Sequence, residues 1–402
     1  MKKVPKLRFP EFEGEWEEKE LKEVVNGFEY GMNAASKDFD GVNKYIRITD
    51  INHTDNKYDY SNVVSPDAEL DGKYLVKEND ILLARTGAST GKTYLYNKMD
   101  RVLYFAGFLI RANINKKYNS KFVFQQTLTE KYNKWVKITS MRSGQPGINS
   151  QEYASYSFYC PKIKEQEKIA SFFSLIDKKI QNQQEKIETL EEYKKGMIQK
   201  IFSQEIRFKD ENGEEFPEWE ECILDEILID NKHPVAKPKN GYERLGLRSH
   251  CKGTFHQYIE DENSISVDTL YRVECNNLIV NITFAWEHAI AITTIEDEGK
   301  LVSHRFPTYR FVNGISPIFM KYLISRKRFK YDMGVASPGG AGRNRVLNTK
   351  LFKQIPIIIP NIKEQEKIGD FLSRLNKKVE IEKQKLEHLK VVKKGLLQQM
   401  FL

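Results

Sequence analysis

A long charged tract, "PKIKEQEKIASFFSLIDKKI" at residues 161–180, returns as "PNIKEQEKIGDFLSRLNKKV" at residues 360–379. The similarity continues through "YKKGMIQKIF" and "VKKGLLQQMF", with identical residues at about half of roughly forty positions. Agreement on that scale in a charged, non-repetitive stretch indicates an internal repeat, and an internal repeat decides the architecture of the whole chain.

A weaker similarity precedes each copy. The segment "RFPEFEGEWEEKELKEV" from Arg8 resembles "RFKDENGEEFPEWEECILDEI" from Arg207, and the alignment places Trp16 opposite Trp219. We therefore predict two globular modules, each followed by a long helix. The predicted parts are residues 1–160 (first module), 161–206 (first helix), 207–359 (second module) and 360–402 (second helix).

The period of the repeated tract predicts a coiled coil, because apolar residues recur at alternating steps of four and three. The apolar seam consists of Ile169, Phe173, Ile176, Ile180, Ile187 and Leu190 in the first copy and of Ile368, Leu372, Leu375, Val379, Leu386 and Leu389 in the second. Both seams carry polar residues at matching positions, Gln183 and Lys194 against Glu382 and Lys393. Matching interruptions indicate that the two helices pair with each other.

A helix of about 34 residues, at about 1.5 Å rise per residue, is a rod of roughly 50 Å. One alternative stays open. Each helix could instead cover its own globular neighbour as an ordinary amphipathic helix.

Composition limits the classes of protein. The chain has 402 residues, 40% hydrophobic and 30% charged, with a net charge of +8. It is long enough for two or three domains, and the mild positive charge permits an anionic partner without demonstrating one. Four cysteines without CxxC spacing argue against a zinc or disulfide framework. Because no signal peptide or membrane-spanning run is visible, we expect a cytoplasmic protein with no membrane contact.

The modules have mixed strand and helix patterns, which predicts an α+β fold twice over. We expect one helix in each module, around "SKFVFQQTLTEKYNKW" and "PIFMKYLISRKRFKYD". The modules can be aligned from Tyr74 and Tyr271 onward, which places Asn79 opposite Asn276, and two loops correspond between them. The strand loop is Gly87–Lys92 in the first module and Phe284–Ala289 in the second, and the glycine loop is Met141–Asn149 and then Ser337–Asn348.

The stretch "RTGASTGKT" at residues 85–93 superficially suggests a phosphate-binding loop. The GxxxxGK[ST] spacing requires glycine at position 86, which is Thr86, and "TYLYN" after Thr93 favours a strand over the required helix. A nucleotide-binding enzyme acting through residues 87–93 is therefore disfavoured. We also find no evident nucleophile with a base and no metal-ligand spacing, so we predict no catalytic residues and no metal site.

Two similar modules whose loops differ suit a long ligand that carries two different short motifs, and double-stranded DNA is such a ligand. Arginine, lysine, glutamine and asparagine can contact base edges or neutralise phosphates. The DNA-binding candidates are Arg85, Thr86, Ser89, Lys92, Arg142, Ser143 and Gln145 in the first module, and Arg248, His250, Trp286, Arg343, Asn344 and Arg345 in the second. The basic run at residues 325–330 could also contact phosphates. Any single charged candidate can instead be a solvated surface group, and Trp286 can be a core residue.

The sequence resembles the specificity subunits of type I restriction-modification systems. The resemblance covers essentially the whole chain and is carried by the helix motif "IKEQEKI" with its later "KKG", by the "RFPEF" opening with Trp16, and by the "NDILLARTG" element at residues 79–87. The second module departs from that last element at "NITFAWEHA".

The resemblance implies a non-catalytic DNA-recognition subunit. Its modules would be target-recognition domains that each read one half of a bipartite target, and its helices would pack antiparallel as a spacer. Two methyltransferase subunits and two motor-nuclease subunits would be its partners, and they would bind the cofactors S-adenosylmethionine, ATP and magnesium. A coiled-coil scaffold that binds proteins without reading DNA remains the alternative.

Overall fold

The computed structural model describes residues 3–261, 267–339 and 345–402. The chain divides into two compact units. The first unit comprises Met1–Gln184 and Gln384–Leu402, and the second comprises Glu185–Lys383. Over the described ranges, no helix is both long and apolar enough to cross a membrane.

The first unit contains ten strands, four short helices, the beginning of one long helix and the end of a second. Its strands are β1 (Glu17–Glu20), β2 (Val25–Tyr30), β3 (Ala35–Asp38), β4 (Lys44–Ile46), β5 (Val64–Asp67), β6 (Asp80–Ala84), β7 (Thr93–Leu95), β8 (Leu103–Phe105), β9 (Leu109–Ile114) and β10 (Ser157–Cys160). Its helices are α1 (Leu21–Val24), α2 (Ser120–Gln126), α3 (Glu130–Thr139), α4 (Ser150–Ala154) and the start of α5 (Ile163–Phe202).

A four-stranded antiparallel sheet forms the centre of the first module, in the order β2-β9-β6-β7. Two further pairs form separate two-stranded sheets: β3 with β5, antiparallel, and β4 with β8, parallel. The strand β1 pairs with β10 and so brings the beginning of the module next to its end.

The second unit has the same kind of content. Its strands are β11 (Glu220–Ile223), β12 (Leu228–Asp230), β13 (Pro234–Ala236), β14 (Tyr242–Leu247), β15 (Thr254–Ile259), β16 (Thr269–Arg272), β17 (Leu278–Val280), β18 (Ile290–Ile292), β19 (Leu301–Val302), β20 (Thr308–Phe311) and β21 (Pro356–Ile359). Its helices are α6 (Leu224–Ile227), α7 (Pro317–Ile324), α8 (Lys327–Val335) and α9 (Thr349–Lys353), together with the end of α5 and the start of α10 (Ile362–Met400).

The internal repeat predicted from the sequence is confirmed by the strand order. The central sheet of the second module runs β12-β20-β17-β18, which matches β2-β9-β6-β7 strand for strand. The parallel pair recurs as β14 with β19, and the outer antiparallel pair as β13 with β16. In the second module these four strands join β15 in one five-stranded sheet, β13-β16-β19-β14-β15.

The aligned residues have the same backbone conformation at one demanding position. Asn79 and Asn276, each just before a central strand, both have positive φ, 72° and 58°. Asparagine tolerates this left-handed conformation better than most residues. The alignment of the two modules therefore holds at the level of single residues.

The prediction of one helix over each of the two stretches was wrong, because each stretch forms two helices, α2 and α3 in the first module and α7 and α8 in the second. In the first module the break lies at Thr129, whose Oγ1 accepts a hydrogen bond from Tyr132 N at 3.2 Å and so caps α3. In the second module Ser325 Oγ donates to Tyr322 O at 2.8 Å where α7 ends. Hydroxyl groups that bond to the local backbone favour helix ends over helix interiors.

The two long helices run antiparallel within each unit. In the second unit Lys186 Nζ lies 3.1 Å from Glu382 Oε2, and Lys194 Nζ donates to Asn376 Oδ1 at 2.7 Å, so one helix ascends in residue number as the other descends. In the first unit Lys393 Nζ lies 2.7 Å from Asp177 Oδ1. The helices have 40 and 39 residues, several more than the sequence predicted.

The ends of the long helices also complete the module cores. In the first unit Phe173 of α5 packs with Leu397 and Phe401, from the far end of the chain. In the second unit Phe202, at the end of α5, packs with Leu372 of α10. The helices therefore cover their globular neighbours as well as pairing with each other.

Candidate nucleic-acid interface

A buried carboxylate attaches the first module to its long helix. Glu165, on the first turn of α5, is 2% exposed. It accepts hydrogen bonds from Arg8 Nε and Nη2, each at 2.8 Å, and from Trp16 Nε1 at 3.2 Å. The two-pronged contact between the guanidinium and the carboxylate is both strong and directional. It joins the "RFPEF" opening to the "IKEQEKI" motif and fixes the position of the module.

The second unit repeats this contact. Glu364 accepts hydrogen bonds from Arg207 Nη2 at 2.8 Å and from Trp219 Nε1 at 3.2 Å. The arginine and the glutamate are 157 residues apart in both units. The sequence-based prediction missed this role for the two glutamates, although the equal separations were a signal that could have revealed it.

The next residue of the motif anchors the short helices. Gln166 Oε1 accepts a hydrogen bond from Asn119 N at 3.0 Å, and Gln365 Oε1 accepts one from Ser316 N at 2.9 Å. Asn119 and Ser316 are the N-caps of α2 and α7. The conserved pattern of the two copies is thus explained by attachment of each module to its helix.

The strand loop and the glycine loop of the first module lie side by side. Gly87 N donates to Pro146 O, and Ile148 N donates to Arg85 O, both at 2.9 Å. A Cβ added to Gly87, whose φ is +70°, would lie 2.8 Å from Gln145 Nε2, so glycine permits the close approach. The two loops form one continuous surface.

Arg85 and two aromatic side chains form an exposed part of this surface. The Arg85 guanidinium lies 4.9 Å from the ring centroid of Tyr30, and Arg85 N donates to Phe108 O at 3.0 Å. Tyr30 and Phe108 are 43% and 58% exposed. A cation beside exposed rings suits contact with nucleic acid. Neither ring was among the predicted residues, since a single aromatic residue at a strand end carries no distinctive sequence signal.

The remaining candidates beside the strand loop are less exposed. Thr86 is half-buried and Ser89 is buried. Lys92 Nζ donates to Ile51 O at 3.3 Å and lies 2.9 Å from His53 Nε2. Burial lowers the pKa of Lys92. Its ammonium group is therefore bound within the module.

The strand loop lacks the geometry of a phosphate-binding loop. Gly87–Ser89 form a single 3-10 turn, and Thr93–Leu95 is the strand β7, as the sequence predicted. A phosphate loop of that type opens a helix whose backbone N–H groups face the phosphates. Here the chain continues as a strand.

The glycine loop of the first module presents its polar residues unequally. Arg142, Ser143 and Gln145 are all exposed. Arg142 Nη1 donates to Thr139 O at 2.8 Å, and its guanidinium forms an ion pair with Glu152. Arg142 is therefore held at the end of α3, whereas Ser143 and Gln145 lie in the exposed part of the glycine loop.

The strand loop of the second module is also bonded to its glycine loop, at the position equivalent to that in the first module. Leu347 N donates to Ile282 O at 2.8 Å, which is the equivalent of the bond described for the first module. A second contact is specific to this module: His250 N, in the turn between β14 and β15, donates to Glu287 O at 2.8 Å. The strand loop therefore packs against the β14–β15 turn.

Three predicted residues lie near this turn. The Arg248 guanidinium lies 5.5 Å from the ring of Phe255 and donates to Thr254 O. His250 is exposed and has a positive φ of 63°. Trp286 is half-buried, and within the described part of the chain its enclosed Nε1 has no hydrogen-bond partner.

Arg345 has a structural contact of its own. Its Nε donates to Ser337 O at 3.1 Å and its Nη2 donates to Gly334 O at 2.8 Å, so the guanidinium caps the end of α8. The candidates Arg343 and Asn344 lie outside the described residues.

The basic run at residues 325–330 is partly engaged within the second unit. The Arg326 guanidinium lies 4.7 Å from the ring of Phe202, and burial lowers the pKa of Arg326. Arg328 Nε lies 3.0 Å from Asp332 Oδ2, one turn further along α8. Lys327 and Lys330 of the run are exposed.

The predicted seam residues of the long helices are all at least half-buried. The buried ones are Ile169, Phe173, Ile187, Ile368, Leu372 and Val379. The half-buried ones are Ile176, Ile180, Leu190, Leu375, Leu386 and Leu389.

Over the residues that the structure describes, no group of three or more His, Cys, Asp or Glu side chains is arranged to hold a metal ion. The four cysteines are free thiols, and burial raises the pKa of Cys160 to about 12.

Comparison with known proteins gives consistent matches. The family described as "Type I restriction modification DNA specificity domain" matches residues 13–192 and 230–391. The type I restriction enzyme MjaVIII specificity subunit of Methanocaldococcus jannaschii is 22% identical over 347 residues, which cover 80% of this chain and 78% of that protein.

Solved structures show the same fold. The S subunit of a type I restriction-modification system from M. genitalium has 16% sequence identity and a TM-score of 0.59, and the match covers 99% of each chain. A chain from a structure concerned with complex assembly and conformational transition of the type I restriction-modification system has 12% identity and a TM-score of 0.56, covering 96% of this chain and 97% of that one.

Proposed function

Because the chain belongs to the type I restriction-modification DNA specificity family and is a specificity subunit, we propose that it reads a bipartite DNA target, one half with each module. The two halves of the target would differ, since the two modules present different side chains.

One observation carries this proposal: the two modules share a backbone scaffold but carry different side chains in their strand loops. In both modules the segment after the third strand of the central sheet is bonded to the glycine loop, by Ile148 N to Arg85 O and by Leu347 N to Ile282 O. At that place the first module presents an arginine and small residues, and the second presents aromatic and acidic residues. A common catalytic site would not tolerate such a difference, whereas readout of two base sequences requires it.

The paired helices would set the spacing between the two half-sites. Equivalent faces of a DNA duplex recur about every 34 Å, so a stiff helix pair can hold two readers in register with one face. The ion pairs of Glu382 with Lys186 and of Lys393 with Asp177, at polar seam positions, would fix the register of the helix pair.

The chemistry of restriction and modification would belong to partner subunits. We propose that two methyltransferase subunits and two motor-nuclease subunits assemble with this chain, and that these partners bind S-adenosylmethionine, ATP and magnesium. The chain itself would contribute no catalytic residue, and the complex would act in the cytoplasm.

Module exchange in the assembled complex tests the proposal. Residues 25–160 are replaced by the corresponding segment of another specificity subunit, and the methylated sites of a DNA library are mapped. We expect one half of the target to change and the other half to stay the same. The reciprocal exchange of residues 228–359 is the matched control and should change only the other half.

Three results would contradict the proposal. A change in both halves after either exchange would show that the modules do not read independently. Binding that ignores sequence in the assembled complex would show that no target is read. No retention of DNA by the wild-type complex would favour the alternative of a protein-binding scaffold. Specific binding should also weaken with salt, as expected when lysine and arginine neutralise phosphates.

A further inference from the structure

The second module contains a cleft between the β14–β15 hairpin and the strand loop, with a volume of about 570 Å³. We call it the hairpin cleft; its lining includes Arg244, Ser249, Phe255, Asn281, Phe284 and Glu287. Its size is typical of sites that hold a small ligand group. The edge strand β15 that forms one wall has no corresponding strand in the described part of the first module.

Two exposed aromatic rings frame the hairpin cleft. Phe255 and Phe284 are 37% and 42% exposed. Phe255 pairs across the hairpin with Gly246, where an added Cβ would lie 2.3 Å from the Phe255 ring. The ring therefore rests on bare backbone, and the glycine fixes its position. Rings held in this way give an apolar entrance to a polar interior.

Glu287 is the one carboxylate among the described residues that line the hairpin cleft. Ser249 Oγ donates to Glu287 Oε2 at 2.5 Å, and the Glu287 carbonyl accepts the bond from His250 N. Both contacts come from the β14–β15 turn, so the side chain and the backbone of Glu287 are held by the same element. The arginine of the cleft is also held, because Arg244 Nη2 donates to Gln257 Oε1 at 2.5 Å.

On a surface that contacts DNA a carboxylate is repelled by the phosphates, and a hydrogen bond from a base offsets that repulsion. Of the major-groove edges of the four bases, cytosine offers an N4 amino donor, which glutamate accepts, whereas thymine O4 and guanine O6 and N7 are acceptors. Adenine offers N6 as a donor but places the acceptor N7 beside it. Phenylalanine can pack against a neighbouring base, as it does against the thymine C5-methyl group.

We infer that Glu287 determines specificity for cytosine at one position of the second half-site, with Phe255 and Phe284 packing against the neighbouring bases and Ser249 orienting the carboxylate. The inference rests on the proposed function and adds to it a residue and a base. Glu287 accepts the cytosine N4 hydrogen bond, and no bond is made or broken.

Glu287→Gln tests the inference with little change in shape, since the glutamine can still accept the bond from Ser249. The wild-type and variant chains are assembled with their methyltransferase subunits, and binding to a library randomised through both half-sites is measured. We expect the variant to lose discrimination for cytosine at one position by about 5- to 150-fold, the range for one good base contact. The first half-site should be read as before.

Glu296→Gln is the matched control, because Glu296 is an exposed acid of the same module that does not line the cleft. Unchanged discrimination in Glu287→Gln, or an equal loss in Glu296→Gln, would overturn the inference while the bipartite target of the wild type still supported the proposed function. A wild-type target whose second half-site specifies only A·T pairs would also overturn it, because only a G·C pair presents a cytosine N4 amino group. A wild-type complex without sequence preference would overturn the proposed function and this inference together.

Discussion

Replacing Glu165 by glutamine tests whether the buried carboxylate holds the first module on its helix. Glu165 accepts two hydrogen bonds from Arg8 and one from Trp16. The glutamine amide keeps one acceptor but turns an NH₂ group towards a guanidinium donor, and at 2% exposure the site offers little water in compensation. Removing one partner of such a pair costs about 3–5 kcal/mol.

The expected loss is large enough to measure by thermal unfolding. At about 2–4 °C per kcal/mol for a unit of this size, Glu165→Gln should lower the melting temperature of the first unit by about 6–20 °C. Hydrogen exchange localises the effect: protection of β6 should fall and protection of β17 should not. Glu364→Gln should give the mirror result, because Glu364 makes the same contacts in the second unit.

Glu167→Gln is the control, since Glu167 lies on the same turn of α5 and is exposed. A surface change of this kind should stay within about 0.5 kcal/mol. The reasoning is refuted if Glu165→Gln lowers the free energy of unfolding no more than Glu167→Gln does. It is also refuted if Glu165→Gln and Glu364→Gln each lower the hydrogen-exchange protection of β6 and β17 equally.

Further predictions concern an aromatic ring of the core, a buried histidine and the candidate nucleic-acid interface. Phe401→Ala should lower the free energy of unfolding of the first unit, measured in urea, by about 3–5 kcal/mol. The control Val391→Ala, at an exposed position, should lower it by less than about 0.5 kcal/mol. A loss below about 1 kcal/mol in Phe401→Ala would contradict the packing described. Burial lowers the pKa of His288, so the unfolded chain binds the proton more tightly and the stability of the second unit should fall as pH drops below about 6.5. The variant His288→Asn should lose that part of the pH dependence, and asparagine tolerates the φ of 65° at this position. If the free energy of unfolding changes with pH between 7 and 5.5 as steeply in the variant as in the wild type, His288 is not the cause. Arg85→Ala should weaken target binding by about 1–3 kcal/mol, and more than Lys92→Ala, whose ammonium group is already bound within the module; equal losses would contradict this assignment.

The sequence was sufficient for the features that depend on repetition and period. The repeated tract predicted two paired helices, and the alignment of the modules placed Asn79 opposite Asn276, which have the same unusual backbone conformation. Both inferences rest on local patterns that the fold cannot easily override, because a heptad seam and a left-handed turn each restrict which residues can be used.

The features that depend on a partner distant in the chain were not predictable in the same way. Arg85 and Arg142 look equivalent in sequence, but Arg142 is paired with Glu152, and only the position of α4 brings that carboxylate close. The strand β15 was missed, although it builds one wall of the hairpin cleft. The helix break at Thr129 was missed because a threonine reads as a neutral residue until its hydroxyl is seen to cap the next helix.

The first unit is completed by the last residues of the chain, since Leu397, Met400 and Phe401 lie in its core. During synthesis the second unit, which is continuous in sequence, can fold as soon as it leaves the ribosome. The first must wait for about 200 more residues, or about 10–40 s at roughly 5–20 residues per second. The first unit is therefore synthesised before the second but completed after it. In that interval the open core of the first unit is exposed to chaperones and proteases.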